Sequence, residues 1–312
     1  MNILLILLGV LLLYAGGELL VRNATKLAAL WGLSPLVIGL TIVAFGTSSP
    51  ELAASLIAAL QDSPEIAIGN VVGSNIANVG LILGLTALIY PLRTQASVIR
   101  REVPIMVGAA LLVPLSLLDG TVSRLEGAIG VLLLAGFTYM LIRTDEKPEV
   151  TQEYEAEYTS SETPSPWLAG LGIVVGLALL VGGAQSLVSG ATAIARALGV
   201  PELVIGLTLV AVGTSLPELA TSLIAALKKE SEIALGNIVG SNIFNVLGIL
   251  GVTALVRPIN VPLQAVGIDV IVMIGFSLVL IPFLLTGLRL GRLEGAIFIA
   301  LYATYVVYLY MQ

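Results

Sequence analysis

The chain has 312 residues, 57% hydrophobic and only 11% charged, with a formal charge of −6 and a mean hydropathy of +1.05. A soluble domain carries roughly 25% charge, so this balance excludes that class and requires lipid as the outer solvent. Cysteine and histidine are absent, which rules out disulfides, thiolate chemistry, Cys/His zinc sites and histidine acid–base catalysis, and there is no basic patch to neutralise a nucleic-acid backbone.

Because a spanning helix needs about 20 largely apolar residues, apolar runs bounded by charge, proline or polar clusters predict ten spans. They fall near 3–21, 33–60, 66–90, 97–118, 122–142, 167–190, 200–227, 233–256, 262–285 and 293–311. The first has the look of a signal-peptide core, but no basic segment precedes it and Gly16, Gly17 and Glu18 lead into more helix. It is read as a retained span. With the N-terminus outside, eleven of the fourteen basic residues fall in inner loops and only Arg124, Arg196 and Arg257 in outer ones. The positive-inside rule then predicts a multi-pass protein of the cell inner (plasma) membrane with both termini outside.

The second span carries GTSSPE at 46–51. Pro50 removes a helix hydrogen bond and Gly46 relaxes the backbone, so a kink or break is expected, with carbonyls liberated around Ala44 and Thr47. Such breaks survive in a membrane only where they are buried in protein or line a cavity. Glu51 lies one residue further, deep in hydrocarbon, where a carboxylate is by default a pathway or binding group. Thr47 and Ser48 precede it by four and three residues, which places all three on one helical face.

The third span carries GNVVGSNIAN at 69–78. Asn70, Ser74 and Asn78, four apart, form a polar stripe; Asn75 falls on an adjacent face, and Gly69 and Gly73 suit close helix approach. Glu102 and Glu126 lie in span flanks. Residues 144–166 contain three prolines and almost no aliphatic side chains, and cannot bury enough apolar surface to fold alone. Seven acids against Lys147 give this segment the chain's whole net charge. It reads as a cytoplasmic tether, and its acids match no EF-hand spacing.

After the tether the chain repeats itself. AFGTSSPELAASLIAAL at 44–60 returns as AVGTSLPELATSLIAAL at 211–227, and GNVVGSNIANVGLILG at 69–84 returns as GNIVGSNIFNVLGILG at 236–251, both at an offset of 167. LVIGLTIV at 36–43 echoes at 203–210, and RLEGAI at 124–129 recurs at 292–297. Gly213, Thr214, Ser215, Pro217 and Glu218 thus restate the broken-helix motif, with carbonyls near Ala211. Gly236, Asn237, Gly240, Ser241 and Asn245 restate the polar stripe, with Asn242 beside it. Two copies of a five-span unit must cross the membrane in opposite senses. The expected fold is therefore an all-α polytopic membrane protein of ten transmembrane helices in two inverted five-helix repeats, 1–143 and 167–312, with a working site between them at the midplane. Asp269 has no role on this reading, and Tyr302, Tyr305, Tyr308 and Tyr310 suggest an interfacial belt at the outer end of the last span.

Hydroxyls, amide and main-chain oxygens and two carboxylates are what Ca²⁺ asks for, and they also suit Na⁺. Ser74, Asn78, Ser241 and Asn245 are expected to face Glu51 and Glu218, with Asn70 and Asn237 more structural. No catalytic set for an intramembrane hydrolase exists, and no nucleotide motif supplies ATP energy.

The doubled motifs resemble the two alpha repeats of the calcium/cation antiporter superfamily, most closely the prokaryotic sodium/calcium exchangers, over the whole chain. The resemblance implies secondary antiport of Ca²⁺ against Na⁺ by alternating access, with these ions as transported substrates and no organic cofactor. It implies Glu51 and Glu218 as shared carboxylates, and main-chain oxygens of Thr47 and Thr214 on calcium. Ser48, Ser74, Ser215 and Ser241, with the carbonyls of Ala44 and Ala211, would complete flanking sodium sites, and Asn78 and Asn245 the centre. Several family members carry aspartate where Asn245 stands. Here two carboxylates balance one Ca²⁺, while three Na⁺ would leave one positive charge over. Coupling to H⁺ or K⁺, and a cation channel, are the alternatives. Expected partners are the lipid bilayer and inorganic cations, without an obligatory protein partner.

Overall fold

The apolar runs fold as helices because no water competes for their backbone bonds in lipid. The computed structural model describes residues 2–145, 165–199, 211–285 and 287–311. Most of the tether and the echo at 203–210 lie outside the described residues. We number the spans α1 (Asn2–Trp31), α2 (Pro35–Thr47 and Ser49–Leu60), α3 (Pro64–Ile89), α4 (Val98–Glu102 and Val103–Ser116), α5 (Arg124–Arg143), α6 (Pro166–Ala197), α7 (Ala211–Thr214 and Leu216–Leu227), α8 (Ser231–Val256), α9 (Leu263–Leu285) and α10 (Arg292–Tyr310). Among the described residues every predicted run has its helix, the seventh from Ala211 onward. The first runs ten residues further than expected, so Arg22 and Lys26 sit on helix rather than in a loop.

Local chemistry sets the helix starts. The Ser34 hydroxyl accepts from the Val37 N–H with Pro35 at the first position of α2, a pre-organised start. The repeated RLEGAI begins α5 and α10. Glu126 accepts from the Ser123 N–H at 2.8 Å and Glu294 from the Gly291 N–H at 3.1 Å. These two flank carboxylates are caps.

Four two-residue strands depart from a purely helical fold. Leu92–Arg93 (β1) pairs with Arg289–Leu290 (β4), and Thr121–Val122 (β2) with Ile259–Asn260 (β3), both antiparallel. Each pair joins one repeat to the other. The ten-span order puts 92–93 and 289–290 on one side of the membrane and 121–122 and 259–260 on the other. Other loop contacts obey the same division. Asp145 accepts from the Ser34 N–H and Gln95 donates to Glu232 on the first side, while Arg257 pairs with Asp62 on the second.

α1 and α6 lie antiparallel along a track of small residues spaced by seven. A Cβ on Gly16 would meet the Gly176 carbonyl at 2.8 Å, and one on Gly183 the Leu13 N at 2.8 Å and the Gly9 carbonyl at 3.0 Å. Backbone therefore rests on backbone, the packing that holds helices together in lipid. Gly183→Leu is expected to force the pair apart, reducing transport severely and lowering the melting temperature in detergent by several degrees; unchanged melting and uptake would contradict this packing. The pair also lies across the broken spans, since Gly46 of α2 seats Leu177 of α6 and Gly17 of α1 seats Ile224 of α7.

The halves differ in their aromatic packing. Phe276, Phe283 and Phe298 pack together between α9 and α10, with ring centroids 6.0 and 5.1 Å from Phe298. Their repeat counterparts are Ala109 and, at the offset of 168 that relates Pro114 to Pro282 and the two RLEGAI segments, Leu115 and Gly130, and apolar crevices of about 420 and 250 Å³ line that part of the first half.

Candidate cation-binding site

Both proline motifs break their helices as expected. Ser48 (φ −84°, ψ 6°) and Ser215 (φ −90°, ψ 7°) interrupt the helical run, and the two parts of α2 meet at 44°. The carbonyl deprived of a donor by Pro50 is that of Gly46, and the Ser49 hydroxyl takes it at 2.7 Å. The Ala44 carbonyl, expected to be liberated, accepts the Ser48 N–H at 3.0 Å. The bend is carried by Ser48, so the turn ahead of it stays closed.

The breaks bring the two carboxylates together. Glu51 and Glu218 are each 1% exposed and close enough for their charges to interact. Each takes a serine from the opposite repeat. Ser48 Oγ donates to Glu218 Oε1 at 3.0 Å and Ser215 Oγ to Glu51 Oε1 at 3.4 Å. The hydroxyls of Thr214 and Thr47 also face Glu51 and Glu218 respectively. Thr47 Oγ1 donates at 3.0 Å to Asn237 Oδ1, a cross-repeat bond that spacing alone does not reveal.

The polar stripes close the site. Asn78 Nδ2 donates to Asn242 Oδ1 at 3.0 Å, and Asn245 Nδ2 to Ser74 Oγ at 2.9 Å. Each carboxamide thus turns its NH₂ group to the protein. Asn70 and Asn237 brace the motif helices. Asn70 Nδ2 reaches the Glu51 carbonyl at 2.9 Å and Ser55 Oγ at 2.8 Å, and Asn237 Nδ2 reaches Ser222 Oγ at 2.9 Å and the Glu218 carbonyl at 3.5 Å. Ser55 and Ser222 escape the sequence reading, although each follows its glutamate by four residues and so shares its face.

Among the described residues, Glu51 Oε2, Glu218 Oε2, Asn78 Oδ1, Asn245 Oδ1 and Ser241 Oγ are buried without a hydrogen-bond partner. Unpaired buried acceptors are costly, and this set suits a hard cation. Asn78 and Asn245 lie in π-helical stretches, Asn78–Leu83 and Phe244–Leu250, a distortion frequent at functional sites. A separate cavity of about 750 Å³, lined by Ser34, Arg93, Gln95 and Glu232 among others, contains none of the motif residues.

The glycine expectation divides. Gly236 and Gly240 pack on α2, a Cβ on Gly240 meeting the Leu40 carbonyl at 2.6 Å, whereas no described residue comes within 4 Å of a Cβ on Gly69 or Gly73. Among these four motif glycines, close approach thus belongs to the α8 pair; on α3 it comes later, at Gly84, where a Cβ would meet the Gly295 carbonyl at 3.0 Å. Two acids outside the site are also placed. Glu102 is wholly buried and paired with Arg101 at 2.6 Å, and Asp269 accepts from Tyr305 at 2.7 Å. Tyr305 is thus turned to Asp269, and Tyr302 packs on Gly80.

Inverted repeats meeting in two broken helices, with unpaired oxygens around two buried carboxylates, define a secondary transporter of hard cations. The chain belongs to the sodium/calcium exchanger protein family, matched over residues 1–143 and 168–311, and is an antiporter rather than an enzyme. It is 42% identical to CaxA of Alkalimonas amylolytica over 93% of this chain and 90% of that one. It is 37% identical to the sodium/calcium exchanger MaX1 of Methanosarcina acetivorans over 99% and 98%. Among solved structures it is similar to the sodium-calcium exchanger NCX_Mj soaked with neither Na⁺ nor Ca²⁺, with a TM-score of 0.85 and 32% identity over 99% of this chain and 98% of that one.

Proposed function

We propose that this chain exchanges Na⁺ for Ca²⁺ at one central site whose carboxylates, Glu51 and Glu218, serve both ions in turn. The observation that carries the reading is the set of unpaired oxygens on Glu51, Glu218, Asn78 and Asn245. Two carboxylates neutralise one Ca²⁺, and the amide oxygens add ligands without charge. Na⁺ would use the same carboxylates with the serine hydroxyls and the Ala44, Ala211, Thr47 and Thr214 main-chain oxygens, so one ion must leave before the other binds. α1 and α6, lying across both breaks, are the elements we assign to opening the site to each face alternately.

We further infer two functional halves, 1–143 and 167–312, joined by a cytoplasmic tether at 144–166, in the plasma membrane with both termini outside. The support is the distribution of lysine and arginine. In proteoliposomes, calcium uptake should follow an opposing Na⁺ gradient, with K⁺ and H⁺ gradients imposed one at a time producing little. Calcium flux indifferent to every counter-ion would overturn antiport.

A further inference from the structure

The repeat offset relates Ser74 to Ser241, Asn75 to Asn242, Asn78 to Asn245 and Met106 to Met273, yet the bonds among them are not symmetric. Asn78 donates to Asn242 Oδ1, whereas Asn245 donates to Ser74 Oγ. Asn242 Nδ2 reaches across to the Asn75 carbonyl at 3.4 Å and to Met106 Sδ at 3.6 Å, whereas Asn75 Nδ2 folds back on the Val71 carbonyl of its own helix at 2.8 Å.

The repeat image of each bond names a specific unused atom. The image of Asn78 to Asn242 is Asn245 to Asn75 Oδ1, and the image of Asn245 to Ser74 is Asn78 to Ser241 Oγ. Asn75 Oδ1 and Ser241 Oγ are both buried without a partner among the described residues. The image of the Met106 contact needs a thioether at 273, and Met273 is there, 1% exposed. A second complete set of acceptors therefore stands beside the first. In an inverted-repeat transporter access changes sides as one repeat or bundle rocks against the other around the site, and a bond set and its unused repeat image are the two arrangements such a movement can interchange.

We propose that Asn75 and Asn242 are positioning residues that take turns. In the arrangement described, Asn242 orients Asn78 and Ser74 orients Asn245. In the opposite-facing arrangement Asn75 orients Asn245 and Ser241 orients Asn78. Each exchange keeps a carboxamide oxygen, never an NH₂ group, turned to the cation. The proposal rests on the central-site reading above.

The test is the apparent KM for calcium on each face, measured in right-side-out and inside-out vesicles. Apparent affinity scales with the population open to that face, and a general weakening of the site cancels in the ratio of the two KM values. Asn242→Ala removes an acceptor of the present arrangement and should move this ratio about tenfold one way; Asn75→Ala should move it about tenfold the other way. Met106→Leu and Met273→Leu conserve volume and should shift it about two- to threefold in the same opposed senses, which decides the matter if the alanine variants do not fold. Ratios that stay fixed while KM rises on both faces, or that move in one direction for both members of a pair, overturn the proposal. A wild-type protein whose uptake ignores the Na⁺ gradient would instead overturn the reading beneath it.

Discussion

Glu51→Gln and Glu218→Gln are each expected to reduce calcium transport about a hundredfold or more, with little change in melting temperature. Glutamine retains the oxygen that accepts from Ser215 or Ser48, so the cross-repeat bond and the packing survive. The unpaired Oε2 is replaced by an NH₂ group pointing at the cation, and half of the site's negative charge disappears. Removing one partner of a buried charge pair costs about 3–5 kcal/mol, equivalent to roughly two to three and a half orders of magnitude in affinity. The two variants should fail alike, because each glutamate accepts from a serine of the opposite repeat and leaves its second oxygen unpaired. Radioactive calcium uptake into proteoliposomes at saturating Na⁺ gradient is the measurement; wild-type rates in both variants would remove the site from consideration.

Asn237→Leu is expected to have the next largest effect, and on stability first. Asn237 accepts from Thr47 and donates to Ser222 and to the Glu218 carbonyl, and it is wholly buried. Leucine fills its volume but leaves these groups without their partner, at about 1–3 kcal/mol for each unsatisfied group. A fall of roughly 10 °C in the melting temperature follows from the usual scaling for a chain of this size. Thr47→Val gives an internal scale. It deletes the bond to Asn237 and the longer 3.4 Å bond to the Ala44 carbonyl but keeps the main-chain oxygen, so it should cost less than half as much and leave calcium affinity within a few fold. A valine variant as damaged as the leucine one would mean that the Thr47 hydroxyl itself serves the ion.

The spans, the repeat and the two broken helices are legible in the sequence because each rests on a local signal. Hydropathy marks a run, proline cancels one particular bond, and an offset of 167 residues is arithmetic. Glu51 and Glu218 stand out for the same reason, as charges in the middle of oil. What is not legible depends on which neighbour is met. The bond from Tyr305 to Asp269 at 2.7 Å joins residues 36 apart and shows only once α9 and α10 lie side by side. Gly73 and Gly240 occupy the same motif position, yet only Gly240 has a described backbone against it. The four short strands follow no β pattern, since two residues are too few to have one; they form where loops of opposite repeats are held side by side. The π-helical turns that carry Asn78 and Asn245 show only as glycines nearby, Gly80 and Gly248, which do not distinguish a bulge from a packing contact.

The glycine track between α1 and α6 bears on what can go wrong with such a machine. Two independent gates could stand open together, and ions would then run downhill without exchange. Helices seated backbone on backbone at Gly9, Gly16, Gly176 and Gly183 instead behave as a single beam laid over both entrances. In the role we assign to α1 and α6, tilting the beam to uncover one entrance would cover the other. Damage to this element should therefore leave the protein jammed rather than leaking, which separates an exchanger from a pore built of the same oxygens.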